Sequence, residues 1–407
     1  MKLAIVETAP YGGLLHYAFQ LADALARRGN EVDLIAPRNN ELSEHPSAVR
    51  MVNVLTPPVS SPSVRPAGRV RYVLKRAGVA ARLVRAWLRI VAVSRRGDYD
   101  AVVINCPIQM TVIAAIVVFL NRLPGGPPIV HICHDSRAFS QSANKLFKSG
   151  AVLNRVLRAA YSGFDLVLVH GERSRRDFEA AWGRRRMAII PHGDERLFAG
   201  DPPPPTEEER ILFFGNWAVV KGIPVLMQAF DRIASRRPEA RLTLAGSPNP
   251  QEVDVDEIRR WAAERAEVEL IDRYVPLADV PGVFGSARVI AVPYLVGFQS
   301  GIVHLAMTMG RAVVASDVGD IGSVVVDGKT GILVPAGDPE ALADALERVI
   351  SNPPLAEGLG AEGRRRVLSG SSWETVAQRL EAALRDAINP LHRSGADTPP
   401  SSPSSRG

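Results

Sequence analysis

Several residue types are scarce in this chain, and each shortage narrows what it does. Cysteine occurs twice in 407 residues, as Cys106 and Cys133. Two thiols build neither a disulfide framework nor a cysteine-rich zinc site. Both lie in apolar runs, so they read as small buried side chains in a reducing compartment. No Ser-His-Asp set, HExxH, Walker A or kinase-like cluster is present, and the loop after the first apolar run is not GxGxxG. That pattern counts against a nicotinamide dehydrogenase. The run Leu3 to Val6 is broken by Glu7 and Pro10, far short of a secretory h-region. Charge is missing from Ala101 to Asn121, a stretch long enough for a membrane span. Pro107 splits it, however, and Asn105, Gln109 and Thr111 add polar groups. A buried strand, a turn at Cys106-Pro107 and a core helix fit it better than a transmembrane helix.

Acidic residues are absent between Val64 and Arg96, where ten of the 49 Lys and Arg fall. The other 39 basic residues are outnumbered by the 43 acidic ones, so the net charge of +6 is local in origin.

What is present is ordinary globular material, 46% apolar and 23% charged. The length suggests two or three domains at roughly 150 residues each. Lys2 to Val6 reads as a strand, Gly12-Gly13 as a tight loop, Leu14 to Arg28 as an amphipathic helix ended by Gly29, and Glu31 to Ile35 as the next strand. This β-loop-α-β unit predicts a parallel sheet with right-handed crossovers. Further strands are expected at Val52 to Leu55, Asp100 to Ile104, Ile129 to Ile132, Asp165 to Val169 and Met187 to Ile190, giving an N-terminal α/β domain over 1–198. Residues 199–209, with four consecutive prolines, read as a semi-rigid linker. The alternation restarts over 210–370 with strands at Arg210 to Phe214, Arg241 to Ala245, Val268 to Ile271, Val289 to Val292, Ala312 to Ala315 and Gly331 to Val334. A C-terminal helix over 371–389 is expected to pack back on the first domain, and 390–407 reads as a disordered tail. Two such domains leave a cleft where ligands meet the carboxyl ends of strands.

Four loops at strand ends carry the candidate chemistry. Gly12 and Gly13 precede a helix and let backbone N–H groups approach a phosphate; a plain tight turn is the alternative. The segment Gly215 to Gly222 holds Asn216 and Lys221, and Lys221 meets a diphosphate as a point charge or is a solvated surface lysine. Gln299, Ser300 and Gly301 enter a helix, an anion site unless Ser300 is a simple N-cap. His134 and Asp135 follow the strand Ile129 to Ile132 and are expected to face the cleft, with His131 a core histidine. A zinc site of His131, Cys133 and His134 is disfavoured, because adjacent strand residues point to opposite faces.

In this order the loops resemble those of a GT-B glycosyltransferase, in particular the retaining family 4. The likeness covers about residues 1 to 388. It rests on FFGNWAVVKGIPVLMQAF (213–230), QSGIVHLAMTMGRAVVASDVG (299–319), VVDGKTGILVPAGDPEALADAL (325–346) and IIPHGDERLF (189–198). The resemblance implies an α/β fold of two Rossmann-like, doubly wound parallel-sheet domains around a cleft. It implies retaining, metal-independent sugar transfer from a nucleotide-sugar donor to a glycan or lipid-linked acceptor. By carry-over, Lys221 binds the diphosphate, the Gly12-Gly13 and Gln299 to Gly301 loops surround the phosphates and sugar, and His134 contacts the donor sugar. His134 and Lys221 are thus the catalytic candidates. Asn216 stands where the family has Arg, and Gly297, Leu305 and Ser323 stand where it has Glu; His304 is the candidate substitute for the lost ribose contact. These departures motivate the alternative of a catalytically impaired GT-B-like binding or partner subunit. An epimerase on the same scaffold is a third reading.

The basic segment places Lys75, Arg82, Arg85, Arg89 and Arg96 on one helical stripe and Leu83, Val84, Trp87, Leu88 and Val91 on the other side. One reading is contact of Arg82, Arg85, Trp87 and Arg89 with an anionic membrane, which implies a cytoplasmic protein peripheral on the inner membrane face. The other is a helix docked on its own sheet. No aromatic interleaving or binding motif accompanies the charge, so nucleic acid is not an expected partner.

Overall fold

The computed structural model describes residues 1–55, 69–108, 125–135, 151–199, 206, 208–297 and 299–388. The tail expected over 390–407, most of the proline linker and the core helix expected after Pro107 lie outside them. Two parallel sheets form the frame. The first has seven strands: β1 (Lys2–Val6), β2 (Glu31–Pro37), β3 (Arg50–Leu55), β4 (Ala101–Ile104), β5 (Ile129–Ile132), β6 (Leu166–Val169) and β7 (Met187–Ile189), in spatial order 3-2-1-4-5-6-7. The second has six: β8 (Arg210–Phe214), β9 (Arg241–Ala245), β10 (Val268–Ile271), β11 (Val289–Val292), β12 (Ala312–Ser316) and β13 (Ile332–Val334), in order 10-9-8-11-12-13.

These are short runs of Val, Ile, Leu and Ala with no polar alternation. β4, β6, β11 and β12 are buried along their whole length. That is what a parallel sheet with helices on both faces requires. The helices used below are α1 (Gly13–Arg27), α2 (Arg69–Arg96), α3 (Ala151–Ser162), α4 (Glu172–Trp182), α5 (Ile223–Arg236), α6 (Gly301–Thr308), α7 (Pro353–Gly370) and α8 (Trp373–Ile388).

On one face of the first sheet, Leu15, Ala18 and Leu21 of α1 share a core with Trp373, Val376, Leu380 and Leu384 of α8. Helix α8 therefore crosses from the second domain to close the core of the first. Arg28 anchors it, with its guanidinium on both carboxylate oxygens of the nearly buried Glu381 at 3.0 Å.

On the other face, Leu83, Trp87 and Ile90 of α2 pack with Leu157 and Tyr161 of α3 and Phe178 and Trp182 of α4. This corrects the membrane reading of Trp87. Its ring is 0% exposed, because Leu83, Trp87 and Ile90 form the sheet-facing stripe of α2. Arg82, Arg85, Leu88 and Arg89 are exposed on the outer face; the side chain of Lys75 lies outside the described ones. Among the described residues, no helix is long and apolar enough to cross a membrane.

In both sheets the strand order reverses at the centre, between β1 and β4 and between β8 and β11. In open parallel sheets ligands bind at that reversal, outside the carboxyl ends of the strands. The Gly12-Gly13 loop follows β1 and Asn105 follows β4. The Gly215 to Gly222 loop follows β8 and the Pro293 to Ser300 segment follows β11. Three of the four candidate loops thus stand at switch points, and the His134-Asp135 turn follows β5, one strand further along.

Candidate functional site

In the second domain the loops after β8 and β11 lock together. Gly222 has φ 68°, and a Cβ there would lie 1.9 Å from the Pro293 carbonyl, so no other residue fits. The Leu295 amide donates to the Val220 carbonyl at 2.9 Å. Lys221 is held as a result, with Nζ 3.7 Å above the ring of the buried Tyr294. Asp135, on the far side of the cleft, feels the Lys221 charge: burial raises the Asp135 carboxyl and Lys221 opposes that rise. Lys221 therefore stands within electrostatic reach of Asp135. Asn216 is exposed at the start of the same loop.

Ser300 caps α6, accepting from the Val303 amide, and lies 3.3 Å from the Tyr294 hydroxyl. The capping alternative is realised. Gln299, Ser300 and His304 also line one cavity of about 270 Å³ with His170, His192, Asp320 and Arg366. Gly301 approaches the His192 ring, whose Nε2 would sit 3.6 Å from a Cβ at that glycine. His304 is 2% exposed, and its Nδ1 faces the Ser300 carbonyl at 3.1 Å. The structure thus splits the predicted set. Gln299, Ser300, Gly301 and His304 gather on the side of the chain crossovers, while Lys221 sits opposite Asp135.

The Gly12-Gly13 loop is already occupied. Glu41 Oε1 accepts the Gly12 amide at 2.5 Å and lies 2.5 Å from His16 Nε2, while Oε2 accepts the Tyr274 hydroxyl at 2.6 Å. Burial pushes the Glu41 carboxyl up, but the His16 hydrogen bond and charge, with Tyr274 and the Gly12 amide, hold it below the usual range. A carboxylate therefore stands at the N-terminus of α1 and joins the two domains, since Tyr274 belongs to the second. The rings of Tyr11 and Tyr274 meet beside it at 5.3 Å.

A second interdomain contact lies at α4. The Asp320 carboxylate accepts the Arg173 and Ser174 amides at 3.0 and 3.1 Å, capping that helix from the other domain. Arg173 in turn donates to Asp317 at 2.7 Å and to the Gly319 carbonyl at 3.0 Å. A Cβ at Gly171 would meet the Asp320 carboxyl at 2.3 Å, so a larger residue there would displace this cap.

His134 sits in a cluster that its sequence position does not announce. His134, His170 and His192 follow β5, β6 and β7, and all three rings pack on the buried Tyr17 at 4.9 to 5.5 Å. The His192 and His304 rings meet at a tilt, with centroids 4.6 Å apart. Both nitrogens of His134 are engaged inside the first domain: Nε2 with Asn105 Oδ1 at 2.9 Å and Nδ1 with His170 Nε2 at 3.1 Å. Burial holds His134 and His192 well below the usual histidine range and pulls His170 and His304 down to about 4. His131 is a core residue, 3% exposed, bonded to the Ile104 carbonyl and stacked on Phe164. Among the described residues, no group of three His, Cys, Asp or Glu is placed to hold a metal ion. Sequence reasoning missed His170, His192, Glu41 and Tyr274. His170 carries a usable signal, since it directly follows the apolar strand β6, while His192 lies three residues beyond the end of β7.

Known proteins match this arrangement along nearly the whole chain. A model of Glycosyltransferase Family 4 matches residues 11–193, and one of the Glycosyl transferases group 1 matches residues 208–352. The phosphatidyl-myo-inositol mannosyltransferase of Mycolicibacterium smegmatis is 28% identical over 91% of this chain and 89% of its own. The D-inositol 3-phosphate glycosyltransferase of Corynebacterium diphtheriae is 27% identical over 92% and 90%. In fold, the chain superimposes on the sucrose-phosphate synthase of Thermosynechococcus elongatus with a TM-score of 0.72, at 22% identity over 95% of this chain and 98% of that one. Anabaena HepE, solved with UDP and glucose, gives 0.70 at 21% identity, over 95% and 100%. With one family model on each domain and two facing parallel sheets between which the loops converge, the chain belongs to the family 4 glycosyltransferases and has their GT-B fold.

Proposed function

We propose that this glycosyltransferase moves a sugar, with retention of anomeric configuration and without a metal ion, from a nucleotide-sugar donor to a lipid-linked or glycan acceptor at a membrane face. The observation that carries the reading is Lys221, the cation of the β8 loop, held on Tyr294 within electrostatic reach of Asp135. A diphosphate placed there meets a positive charge in a partly desolvated cleft, which stabilises the leaving group as the glycosidic bond breaks. The cavity beside Gln299, Ser300 and His304 offers room and hydrogen-bonding groups for the rest of the donor. The names of the two curated relatives support a polyol or lipid-linked acceptor, and the outward Arg82, Arg85 and Arg89 suit an anionic surface.

The test is to incubate the protein with UDP- and GDP-sugars in the presence of EDTA, with phosphoinositide vesicles or free inositol phosphates as acceptors. An α-linked product from an α-linked donor is expected. A β-linked product would remove the retaining mechanism, and release of free sugar alone would remove the transfer to these acceptors.

A further inference from the structure

The hydrogen bonds of His134 and His170 do not close with the protons that two neutral rings carry. His170 Nδ1 faces the Ile190 carbonyl at 3.1 Å, and a carbonyl only accepts, so that nitrogen carries a hydrogen. His134 Nε2 faces Asn105 Oδ1 at 2.9 Å. The orientation of the Asn105 amide is dictated by its other neighbours: its Nδ2 donates to Glu7 Oε2 at 2.6 Å and to the Leu14 carbonyl at 3.0 Å. Oδ1 is therefore an acceptor, and His134 Nε2 carries a hydrogen as well. Between the rings, His170 Nε2 and His134 Nδ1 are 3.1 Å apart, and one of them must donate. Three N–H groups are required, and two neutral imidazoles supply two. With a third proton the network makes all three bonds and carries one positive charge, whereas two neutral rings leave the bond between them unmade.

Glu7 is the matching anion. Its Oε1 accepts the Thr8 and Ala9 amides, each at 2.7 Å, and its Oε2 accepts from Asn105. Burial opposes charge on every member, raising Glu7 and lowering both histidines. The other ionisable groups facing the pair are Tyr17 on α1, His131 on β5, His192 after β7 and His304 on α6, while the Lys221 charge acts on Asp135, the residue after His134. An incoming dianion adds to Glu7 and tips the balance towards the protonated pair.

We propose that His134 and His170 act as one proton-binding unit, which takes a third proton from solvent when the diphosphate of a nucleotide sugar enters the cleft. The unit then supplies a second positive charge in a phosphate site where Asn216 leaves Lys221 as the loop's cation. His170 is its positioning residue, holding the shared proton on His134. The inference rests on the donor site proposed above.

Isothermal titration calorimetry with UDP-glucose and GDP-mannose tests it, because their diphosphates do not titrate across about pH 6 to 8. Titrations in Pipes and in Tris, whose ionisation enthalpies differ, give the number of protons taken up. The expected result is uptake approaching one proton per donor bound, lost in His170→Phe and in His170→Asn, with affinity falling about tenfold, the factor one pKa unit carries. A merely structural role for His170 would change affinity without changing proton uptake. Equal heats in the two buffers for wild-type protein overturn the proposal, as does uptake that survives either substitution. If neither donor binds folded wild-type protein, the donor site itself falls, and this inference with it.

Discussion

Glu195 shows how a single residue of the interdomain region shapes the stability of the protein. It is 8% exposed and takes a hydrogen bond from Gln20 at 2.8 Å. Burial pushes its carboxyl from 4.5 up to about 8, against the lowering effect of Gln20. The folded chain thus keeps a proton that the unfolded chain releases. Between about pH 4.5 and 8 the unfolded state binds fewer protons, so this residue's contribution to stability falls as pH rises. Glu195→Gln should therefore be neutral near pH 4 and stabilising by about 5 kcal/mol near pH 9. Urea unfolding at both pH values checks this; an equal difference at both would contradict it. Nothing in the local sequence GDERLF indicates that Glu195 is buried. That depends on Gln20, far away in sequence, and on Thr308, which accepts the Glu195 amide at 3.1 Å.

At the scale of elements, the strands were legible because parallel strands buried on both faces read as unbroken apolar runs. β1, β5, β8, β9, β10 and β11 span the residues that the pattern predicts, and the others differ by at most two at an end. Helix α2 was legible as amphipathic, but its partner was not. Periodicity reports that Leu83, Trp87 and Ile90 share a stripe, and a sheet or a membrane satisfies that stripe equally well. The α4 cap was invisible for the same reason. It is supplied by Asp320 from another domain, and helix-start signals are searched for locally. Asp320→Ala should leave two amides of α4 without their acceptor and cost about 1 to 2 kcal/mol. It should also loosen the closed arrangement, because Arg173 and Asp320 join the domains. Denaturation midpoints and small-angle scattering measure the two effects; an unchanged radius of gyration in Asp320→Ala would show that other contacts hold the cleft closed.

At the scale of the whole molecule, the excess positive charge is concentrated in one segment of the chain. The acid-free segment Val64 to Arg96 includes α2, whose Arg82, Arg85 and Arg89 point away from the core. Polybasic surfaces gain about 1 kcal/mol per residue near an anionic leaflet, and salt screens that gain. Replacing the three arginines with glutamine should abolish sedimentation with phosphatidylserine vesicles at low salt while leaving the fold intact, since none of the three joins the buried core. Sedimentation that persists, or that wild-type protein never shows, would contradict the membrane reading. The cleft itself was partly legible. Lys221 and the Gln299 to Gly301 turn stand at switch-point loops, as the spacing of strands and glycines indicated. The histidine cluster was not, because three strands must first be ordered 5-6-7 before His134, His170 and His192 become neighbours.

The central claim is that the cleft binds a nucleotide sugar through Lys221. Its most direct test is the equilibrium affinity of UDP-glucose and GDP-mannose for wild-type protein and for Lys221→Ala, with folding of the variant checked by its thermal melt. The account predicts that at least one donor binds and that the substitution weakens it about tenfold or more, the loss of about 1.4 kcal/mol expected for a charge-assisted contact. Equal affinity in the two proteins would contradict it.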